Sequence, residues 1–214
     1  MKYRCIVWDF NGTIMDDVEI GIDSVNVLLE KRGLPTLESR EAYQRIFGFP
    51  IIDYYKRLGF DFNKEPYEEI AVEWVNEYTA REKTAKTVDG VREMLEFFKT
   101  SGKRQIIISA CEQQMLNRNL RLLGVFDYFD DVCGINNIYA SSKESIAMDW
   151  RAKNPDEKIL FIGDTDHDCS VARAMGADCI LVAQGHQSFE TLMQYSEHAT
   201  VVKKMSDIIS VVNG

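Results

Sequence analysis

Short apolar, β-branched runs alternate with amphipathic helical stretches over most of this chain, and that alternation constrains the fold more than any other feature. Residues 3–8 stop at Asn11-Gly12, residues 105–108 end at Ser109, and residues 159–162 end at Gly163-Asp164. Residues 179–182 and 200–202 complete the series, with a weaker run at 128–132. Between them Val91, Met94, Leu95 and Phe98, then Leu116, Leu120 and Leu123, then Val171, Ala174 and Met175 recur at helical spacing, and a further helix is expected from about Ser142. Such runs, separated by helices, specify an α/β fold: a Rossmann-like parallel sheet covered by helices on both faces.

Residues 17–83 break this rhythm, because no strand pattern appears in them. Val18, Ile22, Val25 and Leu29 mark a helix that Gly33-Leu34-Pro35 ends, and Asp16 with Glu19 is expected to cap it. Residues 41–47 look helical, and Tyr67, Ile70, Ala71, Trp74 and Tyr78 mark another amphipathic helix. A block of roughly 65 residues is small for an independent domain. It reads as an all-helical insertion, a cap, at 17–83 within a core formed by 1–16 and 84–214. Its aromatics Tyr43, Phe47, Phe49, Tyr54 and Tyr55 are expected to form the insertion's own small core, with Gly48-Phe49-Pro50 as the break that points toward a site.

Composition removes several classes of function. Twenty-five basic against 34 acidic residues leave a net charge of −9, a surface that repels a phosphate backbone, so nucleic-acid binding is not expected. No apolar run approaches the ~20 residues that span a bilayer. Met1 to Trp8 reaches the acid Asp9 before a signal-peptide core can form. Cys5, Cys111, Cys133, Cys169 and Cys179 form an odd set without C-x-x-C spacing, which reads as free thiols in a cytoplasmic protein. The expected partner is a small molecule, with monomer and homodimer both open.

In open parallel sheets ligands bind beyond the carboxyl ends of the strands. The polar residues of interest all fall there: Asp9 and Asn11 after the first run, Ser109 after the second, Asp164 and Asp168 after another, with Lys143 opening an intervening helix. Singly, each has an ordinary reading as a turn residue, a helix cap or a solvated lysine. Together they form an ordered set: Asp9-Phe10-Asn11-Gly12-Thr13, then Ser109, Lys143 and Gly163-Asp164-Thr165-Asp166-His167-Asp168. This set resembles the haloacid dehalogenase superfamily of phosphohydrolases, and within it the phosphoglycolate phosphatase-like branch. The insertion also lies where that superfamily places a helical cap.

The resemblance implies a Mg²⁺-dependent phosphatase of small phosphorylated metabolites, phosphoric monoesters or acyl phosphates, working through an aspartyl-phosphate on Asp9. It implies metal ligation by the carboxylates of Asp9 and Asp164 and the main-chain carbonyl of Asn11, with Asp168 as an outer ligand. Lys143 and Ser109 would bind the transferring phosphoryl group, and Gly12 and Thr13 would complete its cradle.

At one position the chain departs from its family. The second residue after the nucleophile, an aspartate acting as general acid and base in the usual pattern, is here Asn11. An amide can hydrogen-bond a leaving group but cannot exchange a proton with it at neutral pH. Three readings follow: a leaving group that needs little protonation, as in aryl or acyl phosphates; a proton supplied by His167 or His186; or a phosphate- or partner-binding protein with weak or no turnover. His167 and His186 are otherwise expected to be structural or solvated. A same-fold rival, cleavage of a carbon–phosphorus bond through a Schiff base, would need one of the cap lysines Lys31, Lys56, Lys64 or Lys83 facing the phosphate. The Asn11-Gly12 pair also invites slow deamidation.

Overall fold

The computed structural model describes residues 2–139 and 143–213. Its sheet has six strands: β1 (Cys5–Trp8), β4 (Arg104–Glu112), β5 (Asp131–Ile135), β6 (Ile159–Gly163), β7 (Asp178–Val182) and β8 (Thr200–Val202). They lie in the order β5-β4-β1-β6-β7-β8 and every neighbouring pair is parallel. The chain winds outward from β1 through β4 to β5, then crosses back to β6 on the other side of β1. That reversal opens the crevice above β1 in which doubly wound folds hold ligands.

Period-two alternation explains the two faces. On one, Ile6, Trp8, Ile107 and Ile162 pack with Leu95 and Phe98 of α5 (Val91–Thr100) and Leu116 and Leu120 of α6 (Gln113–Leu122). On the other, Cys5, Val7, Ile106 and Phe161 meet Trp150 of α7 (Glu144–Lys153) and Val171 and Met175 of α8 (Asp166–Met175). The chain closes with α9 (Phe189–Leu192) and α10 (Ile208–Asn213).

The helical insertion carries α1 (Val18–Lys31), α2 (Arg40–Ile46), α3 (Ile51–Arg57) and α4 (Tyr67–Arg81). It has its own hydrophobic cluster, in which Val18, Val25 and Leu28 pack with Tyr54, Tyr55 and Ile70. Both crossings between insertion and sheet run through a short antiparallel pair, β2 (Met15–Asp16) with β3 (Lys86–Thr87). Two strands of two residues each carry no readable periodicity, and α3 too falls outside the sequence expectation.

Other elements are shifted from where the sequence placed them. Asp16 lies in β2 and does not cap α1; the N-cap position is Asp17, whose side chain makes no capping bond because the site below recruits it. The strand expected at 128–132 starts three residues later, after a single 3₁₀ turn at Phe126–Tyr128. Strand β4 continues past Ser109 to Glu112 through a shift in its register with β5. Gly134 permits that close passage, since a Cβ there would lie 2.7 Å from the Cys111 carbonyl oxygen. Helix α7 begins with Lys143 as its N-cap, and the expected start at Ser142 lies outside the described residues.

Candidate active site

Asp9 is the first residue beyond β1, and its N–H donates to the Ile162 carbonyl of the adjacent strand at 2.9 Å. Asp164 is the first residue beyond β6, so parallel pairing alone sets these carboxylates side by side. Asp168 joins them one helical turn into α8: its Oδ2 accepts from the N–H groups of Asp164 (3.1 Å) and Thr165 (2.9 Å) and from the Thr165 hydroxyl (2.8 Å). One oxygen from each of the three carboxylates falls within 4.8 Å of the others, and all three residues are buried. Lys143, only 2% exposed, donates to Asp9 Oδ1 and Asp168 Oδ1 at 2.5 Å each. A cation at a helix N-terminus opposes the helix dipole; two direct carboxylate contacts outweigh it.

Three carboxylates against one ammonium leave two negative charges uncompensated if all are ionised. Burial pushes the Asp9 carboxyl up to about 8, with the charge of Asp168 adding to the shift and Lys143 opposing it. Burial likewise raises Asp164 to about 6. Burial also acts on Asp168, but the charge and hydrogen bond of Lys143 prevail and hold that carboxyl below its usual range. Hard oxygen donors carrying excess negative charge are the donor set a divalent cation such as Mg²⁺ prefers. Two glycines pack directly on this cluster: a Cβ at Gly12 would lie 2.2 Å from Asp164 Oδ2, and one at Gly185 2.1 Å from the same atom. Gly12 also sits at φ +74°, so both its conformation and its neighbours demand glycine.

The remaining expected residues divide. Ser109, 1% exposed, lines the cavity above Asp9; its Oγ accepts from Cys111 N–H at 3.0 Å, which leaves its own proton to donate. Thr13 and Gly12 do not line the cavity: the Thr13 hydroxyl donates to Asp164 Oδ1 at 2.7 Å, and Gly12 N–H donates to Met15 O and Asp17 Oδ1, both at 2.9 Å. Asn11 does line it, and its side-chain Nδ2 lies 2.6 Å from Asp17 Oδ2 and 3.1 Å from the Tyr78 hydroxyl. With Gly12 N–H and the Asn11 amide both engaged, the backbone attack that starts deamidation is held back.

Asp17 and Tyr78 are site residues that the sequence reading missed. Tyr78 donates to Asp17 Oδ2 at 2.8 Å. His186 Nε2 lies 3.4 Å from Asp17 Oδ1, and its Nδ1 lies 2.6 Å from the Tyr43 hydroxyl of α2. Burial disfavours charge on Asp17, but hydrogen bonds from His186, Asn11 and Tyr78 win and hold it ionised. His186 is therefore a buried link between sheet and insertion with both ring nitrogens occupied. His167 is half-buried and stacks on Phe49 at 4.6 Å between centroids, tying the Gly48-Phe49-Pro50 break to the start of α8. The signal at Asp17 was present but ambiguous, since an acid before a helix also reads as a cap.

Above the carboxylates a cavity of about 170 Å³ separates sheet and insertion. Tyr43, Tyr54 and Tyr55 belong to the insertion's core cluster and also line this cavity, together with Phe47 and Phe49, so the expectation that these aromatics serve only as core is corrected. None of the four cap lysines lines it: Lys31 pairs with Glu73, Lys56 with Asp53 and Lys64 with Asp61, and Lys83 sits in the 3₁₀ turn Glu82–Thr84, so nothing in the lining supports the Schiff-base rival.

Residues 6–182 match the family model for haloacid dehalogenase-like hydrolases. The chain belongs to this family. Among curated haloacid dehalogenase-like relatives it is 23% identical to pyrophosphatase PpaX of Bacillus velezensis, over 98% of this chain and 96% of that one. It is 23% identical to phosphoglycolate phosphatase of Pseudomonas syringae pv. tomato, over 86% of this chain and 70% of the other. Among solved structures, Mycobacterium tuberculosis Protein Tyrosine Kinase A superposes with a TM-score of 0.82 at 22% identity, covering 99% of each chain. At that identity the structural likeness speaks for the fold. The chain is thus an α/β hydrolase of the haloacid dehalogenase-like family, and no helix among its described residues is long and apolar enough to cross a membrane.

Proposed function

We propose that this hydrolase is a Mg²⁺-dependent phosphatase of small phosphorylated metabolites that works through an aspartyl-phosphate on Asp9. The observation that carries the reading is the buried meeting of Asp9, Asp164 and Asp168 with Lys143 beneath one cavity. Relatives named for pyrophosphate and phosphoglycolate hydrolysis support the phosphoryl class.

The Asp9 and Asp164 carboxylates and the Asn11 carbonyl would hold the metal, with Asp168 behind them, bonded to Lys143 and the Thr165 turn. A bound Mg²⁺ supplies charge neutralisation that lets an anionic nucleophile meet an anionic phosphate. The rest is the chain's own work. An Asp9 oxygen forms a bond to phosphorus as the ester oxygen departs with its electron pair; water then attacks phosphorus and frees Asp9. Lys143 stays charged despite its burial, because Asp168 and Asp9 hold its pKa above the ordinary lysine value, so it faces the phosphoryl oxygens as a fixed cation. Ser109 donates to an equatorial oxygen. Thr13 acts one step removed, orienting Asp164. Asn11, anchored to Asp17 and Tyr78, transfers no proton.

The test is phosphate release from aryl, acyl and alkyl phosphates on fresh protein with Mg²⁺ or EDTA, beside Asp9→Asn checked by mass for deamidation back to aspartate. Turnover that disappears with EDTA and with Asp9→Asn is expected. No turnover on any substrate, with Mg²⁺ and phosphate still raising the melting temperature, would leave the binding-protein alternative in its place.

A further inference from the structure

The phosphatase reading leaves the leaving group open, and two independent features of the site speak to it: what lines the cavity, and what stands at residue 11. The cavity wall facing the carboxylates is aromatic, built from Phe47, Phe49, Tyr54, Tyr55, Trp74 and Tyr78 among others. Its volume of about 170 Å³ is close to the ~150 Å³ of a cavity that holds one benzene molecule. One ring fits.

Charge narrows the class further. Among the described residues Lys143 is the one ammonium in the lining and no arginine lines it, and both Asp9 and Asp168 already claim that lysine. Asp17 and Glu112 add negative charge to the wall. A leaving group that carries its own carboxylate or second phosphate would enter an apolar, net-negative space with no cation to receive it.

The chemistry at residue 11 points the same way. An alcohol expelled without a proton leaves as an alkoxide, whose conjugate acid lies near water's pKa of about 16. A phenol leaves as an anion whose conjugate acid lies near 10. Asn11 cannot supply the proton, so the site as built favours the phenol.

We infer that the substrate is a phosphate monoester of a neutral, single-ring phenol, bound with its ring against the insertion's aromatic wall above Asp9. This rests on the phosphatase reading. In the step it specifies, the P–O(aryl) bond breaks as Asp9 Oδ–P forms, the phenolate departs with the bonding pair and takes its proton from solvent, and water completes the hydrolysis.

The experiment measures kcat/KM in Mg²⁺ for phenyl phosphate, 4-carboxyphenyl phosphate, cyclohexyl phosphate, phosphoglycolate, pyrophosphate and acetyl phosphate. Phenyl phosphate should exceed phosphoglycolate and pyrophosphate at least 100-fold, and cyclohexyl phosphate by a factor in the general-acid range of about 10²–10⁴. The added carboxylate makes 4-carboxyphenyl phosphate the better leaving group, yet its kcat/KM should fall at least tenfold. Phe49→Ala should lower the ratio of phenyl phosphate to acetyl phosphate turnover at least tenfold. Equal or better turnover of phosphoglycolate, pyrophosphate or the carboxylated ring would overturn the aryl assignment, while Asp9-dependent turnover of acetyl phosphate would leave the phosphatase reading standing. If no substrate turns over, that reading fails, and calorimetric competition between phenylphosphonate and phosphonoacetate still decides the occupant. Phenylphosphonate at least tenfold tighter upholds the ring; equal or reversed affinities overturn it.

Discussion

Replacing Asn11 with aspartate tests how the site handles its proton. In the native chain the Asn11 amide nitrogen lies 2.6 Å from Asp17 Oδ2. The near-isosteric Asn11→Asp change sets oxygen against oxygen at that separation, inside a buried pocket. Two unit charges so placed repel by roughly 6 kcal/mol at an effective dielectric of about 20, equivalent to four to five pKa units. Only one carboxylate of the pair can ionise, so the pair retains one shared proton from its ordinary range near 4 up to roughly pH 8–9. The variant therefore carries at neutral pH the acid that the native site lacks. General acid help is worth about 10²–10⁴-fold, and it should appear in kcat/KM for an alkyl phosphate while an aryl phosphate changes little. The pair's folded pKa is raised, so its contribution to stability is full below about pH 4 and is lost as pH climbs through roughly 8–9. The assay is kcat/KM on alkyl and phenyl phosphates from pH 6 to 9, with thermal melts at each pH. A folded variant whose alkyl-to-aryl ratio stays within threefold of the native value would refute the reasoning.

Other consequences of the same geometry are open to measurement. Because burial raises Asp9 to about 8 and Asp164 to about 6, stability tied to their protonation is complete below about pH 4 and lost as pH rises through those values; EDTA-treated protein should melt progressively lower from pH 5 to 8, and millimolar Mg²⁺ should flatten the slope. Tyr78→Phe removes the 2.8 Å donor to buried Asp17 and should cost about 1.5–3 kcal/mol, or roughly 3–12 °C in Tm for a chain of this size; a shift below 2 °C would mean that Asp17 is held by its other partners alone. Gly12→Ala places a Cβ 2.2 Å from Asp164 Oδ2 and should abolish the Mg²⁺-dependent rise in Tm, which calorimetry reads directly. Arg32, which joins α1 to Glu65 and Glu73 through half-exposed ion pairs, should contribute only about 1 kcal/mol when replaced by alanine, as urea melts would show.

Much of this was legible in the chain because it depends on local periodicity. Apolar runs ending in Asp9, Ser109 and Gly163-Asp164 read as buried strands whose polar termini share one edge of a parallel sheet, which places the carboxylates side by side. Elements without clear periodicity were not legible: the two-residue pair at Met15–Asp16 and Lys86–Thr87 and the short helix Ile51–Arg57, while the weak run at 128–132 marked the strand Asp131–Ile135 but not its start behind a 3₁₀ turn.

By itself, then, the sequence determined the α/β class and the family resemblance carried by Asp9, Asn11, Ser109, Lys143 and Asp164 in that order, since both are written in spacing and residue type. Only the tertiary structure decided what surrounds them. It brought Asp17 and Tyr78, residues 61 positions apart, onto Asn11 and gave the amide its fixed direction. It turned Thr13 toward Asp164, and it made the tyrosines of the insertion serve as both core and cavity wall. A side chain's partners depend on distances between elements far apart in the chain, and hydrophobic patterning records which face is buried without recording what it is buried against.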